Sequence, residues 1–158
     1  MDCMKAQLQL YNLLIKKKLT IATCESCTGG LLASLLTDIS GSSKFFVMGI
    51  VAYSNKAKIE ILKIKRSLIN SKGAVSKDVA MAMAENIRNL AKTNLGVGIT
   101  GVAGPTGAKT HKPVGLVYIA VSSPKGIICR KFNFKGNRQK IRREAKTAAL
   151  NLIKECIR

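Results

Sequence analysis

The chain has 158 residues, of which 47% are hydrophobic and 22% charged, and this sets it apart from disordered and low-complexity chains. No apolar run approaches the roughly 20 residues needed to cross a bilayer, so no membrane partner is expected. Lysine and arginine number 27 against 8 acidic residues, a formal charge of +19 that points to acidic partners or to a biased genome.

Five scattered cysteines, an odd number, argue against a disulfide framework and for a reducing cytoplasm. The N-terminal Met1-Asp2-Cys3-Met4-Lys5 lacks the basic region and apolar core of a secretion signal. The lysines are spread along the chain and read as compositional bias. The arginines cluster, and are treated separately below. One domain over residues 1–158 is expected.

In chain order, residues 4–18 predict a helix with Met4, Leu8, Tyr11 and Ile15 on one stripe, widened by Leu10, Leu13 and Leu14. Residues 19–24 predict a buried strand, followed by the polar turn Glu25-Ser26-Cys27-Thr28-Gly29-Gly30 and a helix over 28–39 that Gly41 ends. A second strand over 45–54 leads through Ser54-Asn55 into a helix over 56–63, which carries Lys58 just beyond the strand end. A short helical piece is expected at 66–71. Ser76 caps a helix over 77–92 with Val79, Met83, Ile87 and Leu90 on one face.

A third strand, 95–99, runs into the Gly- and Pro-rich loop Thr100-Gly101-Val102-Ala103-Gly104-Pro105-Thr106-Gly107. Strands 115–122 and 127–134 form a hairpin across Ser123-Pro124-Lys125-Gly126. A last helix covers 138–156, with Ile141, Ala145, Ala148, Leu152 and Cys156 facing the core. This alternation predicts an α/β fold, a three-layer α/β/α sandwich around a mixed, mostly parallel sheet. Ligands of such sheets bind outside the carboxyl ends of the strands. The stretches Glu25–Gly30, Tyr53–Lys58 and Thr100–Gly107 all sit at such ends. They converge on one crevice if their strands are neighbours.

Several chemistries are open to these residues. Ser26 and Thr28 are candidate nucleophiles on a turn whose backbone N–H groups suit an oxyanion. The single histidine, His111, lies in a loop and makes a poor triad base. Lys58 is the alternative base, or else an ordinary surface lysine. As a base it must be neutral, whereas at a pKa of about 10.4 only on the order of 0.1% is neutral near pH 7.4. Burial would have to lower its pKa by about two to three units.

Cys24 and Cys27 form a C-x-x-C that permits thiol redox chemistry, or are simply small buried residues. No metal-site spacing is present, and no cofactor is expected. Arg138, Arg142 and Arg143 crowd the first two turns of the last helix, where cations oppose the helix dipole. A bound phosphate would relieve that opposition.

Six stretches then occur together and in order: Thr23 to Gly30, Gly41-Ser42-Ser43, Tyr53-Ser54-Asn55 with Lys58, Gly73-Ala74-Val75-Ser76, Thr100 to Pro105, and Lys112-Pro113-Val114-Gly115. In these the chain resembles the CinA C-terminal domain family, the nicotinamide-nucleotide amidases. The resemblance implies hydrolysis of the carboxamide of nicotinamide mononucleotide, in pyridine-nucleotide recycling, by a Ser/Lys dyad. Ser26 would be the nucleophile and Lys58 its base, with Tyr53 and Asn55 in support. Glu25, Thr28, Gly29, Gly30, Thr100, Gly101 and Gly104 would shape the oxyanion and nucleotide pockets, and Arg138 and Arg142 would meet the substrate phosphate.

A small-molecule pyridine nucleotide is the implied partner, and a homodimer is a family expectation. Two departures stand out: Cys24 replaces an alanine, and Gly107-Ala108-Lys109-Thr110-His111 replaces a loop richer in glycine and acids. The rival reading is a non-catalytic nucleotide or nucleic-acid binding module using the basic surface. The absence of tryptophan, with only 3 tyrosines and 4 phenylalanines, weighs against base stacking.

Overall fold

The computed structural model describes residues 3–158. Met1 and Asp2, part of the stretch read above for a secretion signal, lie outside the described residues. The elements are α1 (Cys3–Lys16), β1 (Ile21–Glu25), α2 (Leu31–Thr37), a 3-10 turn (Ser42–Lys44), β2 (Phe46–Val51), α3 (Asn55–Glu60), α4 (Arg66–Lys72), α5 (Lys77–Ala91), β3 (Leu95–Gly101), β4 (Leu116–Ser123), β5 (Gly126–Asn133) and α6 (Arg138–Ile157). No helix among the described residues is long and apolar enough to cross a membrane.

The sheet runs β2-β1-β3-β4-β5. β1 pairs parallel with β2 and β3, whereas β4 is antiparallel to both of its neighbours. Four of the five strands therefore point the same way. Helices α1, α2 and α6 cover one face around Leu10, Ile21, Leu32, Val97, Ile119 and Ile153. Helices α3, α4 and α5 cover the other around Ala22, Cys24, Leu62, Ile69, Met83 and Ile87. This is the expected α/β/α sandwich.

Burial follows strand position. β1 is interior and buried along its whole length, while the edge strand β2 alternates. β3 carries Gly96 and Gly98 because α5 packs very close to it. A Cβ on Gly98 would fall 2.4 Å from the Ala80 carbonyl and 2.7 Å from the Ala84 nitrogen, both on α5.

Four expectations about faces and ends are corrected. In α1 the buried stripe is Ala6, Leu10 and Leu14, while Met4 and Leu8 stand exposed at 73% and 51%. The apolar residues of the helix form a broad stripe, so its pattern left the inward line open and packing against α6 and α2 chose it. On α5 Leu90 is exposed, whereas on α6 Ala148 packs against the core as expected, next to the fully buried Ala149. Finally, α2 starts at Leu31, not at residue 28, because Gly29 and Gly30 adopt left-handed φ of 62° and 94°. Gly41 is also left-handed, but it precedes the 3-10 turn instead of capping α2.

Candidate active site

The order β2-β1-β3 makes the three strand ends adjacent, and one crevice of about 320 Å³ opens over them. Ser26, Tyr53, Asn55, Lys58, Thr100, Gly101, Gly104 and Arg138 all line it. Each arrives by a local reason.

Ser26 extends β1 by one ladder bond, its N–H donating to the Ile99 carbonyl at 3.0 Å. The chain then turns, with the Gly29 N–H donating to the Ser26 carbonyl at 3.0 Å. Lys58 is placed by α3, whose start is capped by Ser54 accepting from the Ala57 N–H at 3.0 Å.

Lys58 is 1% exposed and among the largest fully buried side chains. Its Nζ lies 3.1 Å from Ser26 Oγ, 2.7 Å from the Ala52 carbonyl and 3.4 Å from the Tyr53 carbonyl. The ion pairs among the described residues are Arg130–Glu155 and Lys140–Glu144, so no carboxylate holds the ammonium. Burial lowers the Lys58 pKa below the ordinary lysine value.

The neighbouring thiols do not restore it. Burial pushes Cys24 up to about 12 and Cys27 to about 11, so both are neutral near pH 7 and carry no charge to retain the proton. The same shifts argue against thiol redox chemistry, which needs a depressed thiol pKa.

Thr100 donates its hydroxyl to the Ala74 carbonyl at 2.8 Å and ties the β3 end to the loop before α5. Odd-numbered residues of β3 bond toward β1: Leu95 N–H donates to Thr20 O at 2.9 Å, and Ile99 O accepts from Ser26. Gly101 is next in that series. It faces Val117 on β4 between hydrogen-bonded pairs, so its N–H turns toward the β1 side, where β1 has ended. Arg138 spans the crevice, donating to Gly104 O at 2.8 Å and to the Tyr53 hydroxyl at 2.9 Å.

Five expected site residues lie elsewhere. Glu25 is 1% exposed, and its carboxylate accepts from the N–H groups of Gly30, Leu32 and Ala33 at 3.1, 3.1 and 2.8 Å. It therefore occupies the α2 donors that were expected to meet an anion. Gly29 and Gly30 form the bend around it. Thr28 is fully buried, and its carbonyl accepts from Arg142 at 2.9 Å. Arg142 is thus turned onto the Ser26–Gly29 turn and is not among the residues lining the crevice. Its position on α6 was readable, but its rotation toward α2 was not.

The loop residues Ala74, Val75 and Thr106 also line the crevice. The Gly73-Ala74-Val75-Ser76 motif was the available signal for the first two. His111 is exposed in the 109–112 turn and is not among the crevice residues.

A buried hydroxyl–amine pair at the strand ends of a three-layer α/β/α domain is the class of site that fold and geometry define. Comparison with known proteins narrows it. The CinA C-terminal domain family matches residues 4–157, and the chain belongs to that family.

A putative competence-damage inducible protein of Caldanaerobacter subterraneus subsp. tengcongensis is 47% identical over 145 residues, covering 92% of this chain and 35% of the relative. That of Thermoanaerobacter pseudethanolicus is 49% identical with the same coverage. The chain thus spans about a third of the length of these curated relatives. Among solved structures, the competence/damage inducible protein CihA from Agrobacterium tumefaciens is 33% identical, with a TM-score of 0.94 over 98% of this chain and 95% of that one. A competence or damage-inducible protein from Enterobacter asburiae is 27% identical, with a TM-score of 0.96 over 100% and 99%.

Proposed function

We propose that this domain is a serine amidohydrolase that converts nicotinamide mononucleotide to nicotinate mononucleotide and ammonia. The observation that carries the reading is the buried Lys58 amine, 3.1 Å from Ser26 Oγ and without a carboxylate partner among the described residues. A neutral amine has two N–H donors and one lone pair. The Ala52 and Tyr53 carbonyls accept the donors, which leaves the lone pair for the Ser26 hydroxyl.

Lys58 takes the Ser26 proton as Oγ attacks the carboxamide carbon. The oxyanion is met by N–H groups on the crevice side, Gly101 foremost. Lys58 then protonates the amide nitrogen, ammonia leaves, and an ester to Ser26 remains. Lys58 next deprotonates a water, which attacks the ester and releases the carboxylate as the proton returns to Ser26. Arg138, at the mouth of the crevice, meets the phosphate.

The test is ammonia release from nicotinamide mononucleotide. Ser26→Ala and Lys58→Ala are expected to abolish it while remaining folded, and Lys58→Arg to be inactive at every pH because arginine stays protonated. In the wild type, kcat/KM rises with pH as Lys58 loses its proton, with a midpoint below about 10.4. Wild-type turnover in either alanine variant overturns the dyad. Folded but silent wild-type protein, with nucleic-acid binding that weakens steeply with salt, would favour the binding-module reading instead.

A further inference from the structure

A second cavity, of about 290 Å³, adjoins the catalytic crevice. The two share Asn55, Ala74, Val75, Val102 and Gly107, so they are lobes of one depression. Its outer wall carries Lys109, in the segment where this chain departs from the family pattern, and Lys112, at the start of the matching stretch that follows. There Lys109 and Lys112 exchange both backbone hydrogen bonds, at 3.0 and 2.9 Å, as an antiparallel bridge.

Residues paired in that way send their side chains from the same face, with Cα atoms about 5.5 Å apart. Two lysines so placed repel each other. Neither belongs to the ion pairs found among the described residues, and no acidic residue lines the cavity. Lys112 is anchored by donating to the Lys72 carbonyl at 2.8 Å, which fixes one ammonium in place. Asn55 and Asn70 bring amide donors to the same cavity. Two lysines paired across one bridge, one of them anchored, with amides and no acidic residue in the lining, suit a phosphate. Arg138 lines only the neighbouring lobe, so this locus is separate from the one assigned to the mononucleotide phosphate.

We propose that the cavity walled by Lys109 and Lys112 is a second phosphate subsite, and that crevice and cavity together accept amide-bearing nucleotides with a diphosphate. The substrate part of this proposal rests on the amidase reading, whereas the subsite itself does not. The probe is inorganic pyrophosphate, titrated calorimetrically into the intact protein. Wild type is expected to bind it, and Lys109→Ala to weaken binding about tenfold, the order expected for one charged hydrogen bond. Lys112→Ala should do the same. Lys109 is exposed, so an unchanged melting temperature shows that its variant is folded.

Lys125 lies in the β4–β5 turn at the far end of the sheet, and Lys125→Ala reports general attraction to a basic protein. No pyrophosphate binding by wild type, or an equal loss in Lys125→Ala, overturns the subsite. The amidase assay separates the two readings. Selective loss of binding in Lys109→Ala with no amide hydrolysis by wild type upholds the subsite and removes the amidase. Hydrolysis with KM values unaffected by Lys109→Ala, for mononucleotide and diphosphate substrates alike, upholds the amidase and removes the subsite.

Discussion

The burial of Lys58 serves the proposed chemistry and opposes folding. Its amine is solvated in the unfolded chain and largely dry in the native one. With its folded pKa lowered, the unfolded state binds more protons between that value and about 10.4. Stability therefore rises with pH across that window, and the full cost is present below it. Three hydrogen bonds offset part of the cost.

Arg142 acts at one remove. Its guanidinium donates to the Thr28 carbonyl, and a Cβ on Gly29 would sit 3.0 Å from it. Since the Gly29 N–H closes onto the Ser26 carbonyl, Arg142 braces the turn that carries Ser26, the proposed nucleophile. On the proposed mechanism it is a positioning residue. Arg142→Ala is expected to lower kcat by about tenfold to a hundredfold while KM changes little, because small displacements of a nucleophile are expensive in rate. Arg142→Lys should recover part of the loss. A rise in KM for the phosphorylated substrate with kcat intact would instead return Arg142 to phosphate binding.

At the scale of elements, two contacts set the crevice. The Glu25 carboxylate fastens the start of α2 to the end of β1, and so ties the helix to the turn that carries Ser26. On the other face, α5 lies against β3 over Gly96 and Gly98, where any Cβ would collide with helix backbone. Gly98→Ala is expected to destabilise the domain by about 1–3 kcal/mol, the cost of overpacking. Urea unfolding should show a lower midpoint at unchanged slope. An unshifted midpoint would mean that α5 can retreat without loss. The helical period of α1 was plain in the sequence, but which of its apolar sides turned inward depended on α6 and α2.

For the molecule as a whole, the charge of +19 meets few attractions: ion pairs among the described residues are Arg130–Glu155 and Lys140–Glu144, on exposed side chains. Net repulsion should dominate, and salt screens it over about 10 Å at 0.1 M. Raising sodium chloride from about 0.01 to 0.5 M is expected to raise the melting temperature, by about 2–4 °C for each kcal/mol of repulsion removed. A flat or falling curve would show that the basic surface is already compensated.

Local pattern carried a large share of this protein's description. Alternating periodicities defined the layers, and turn chemistry placed Ser26, Lys58 and the Thr100–Gly104 loop at strand ends, because both depend on residues a few positions apart. The resemblance to the CinA C-terminal domain family was likewise legible in short ordered motifs. What only the tertiary structure decided involves partners distant in the chain. The strand order β2-β1-β3 turned three separate ends into one crevice. Ser26 and Lys58 meet across 32 positions, and the burial that makes Lys58 a candidate base exists only once the layers close around it. Glu25 and Arg142 turned away from the crevice for the same reason. Most buried hydrogen-bonding groups find partners, and which partners lie within reach is a property of the packed fold.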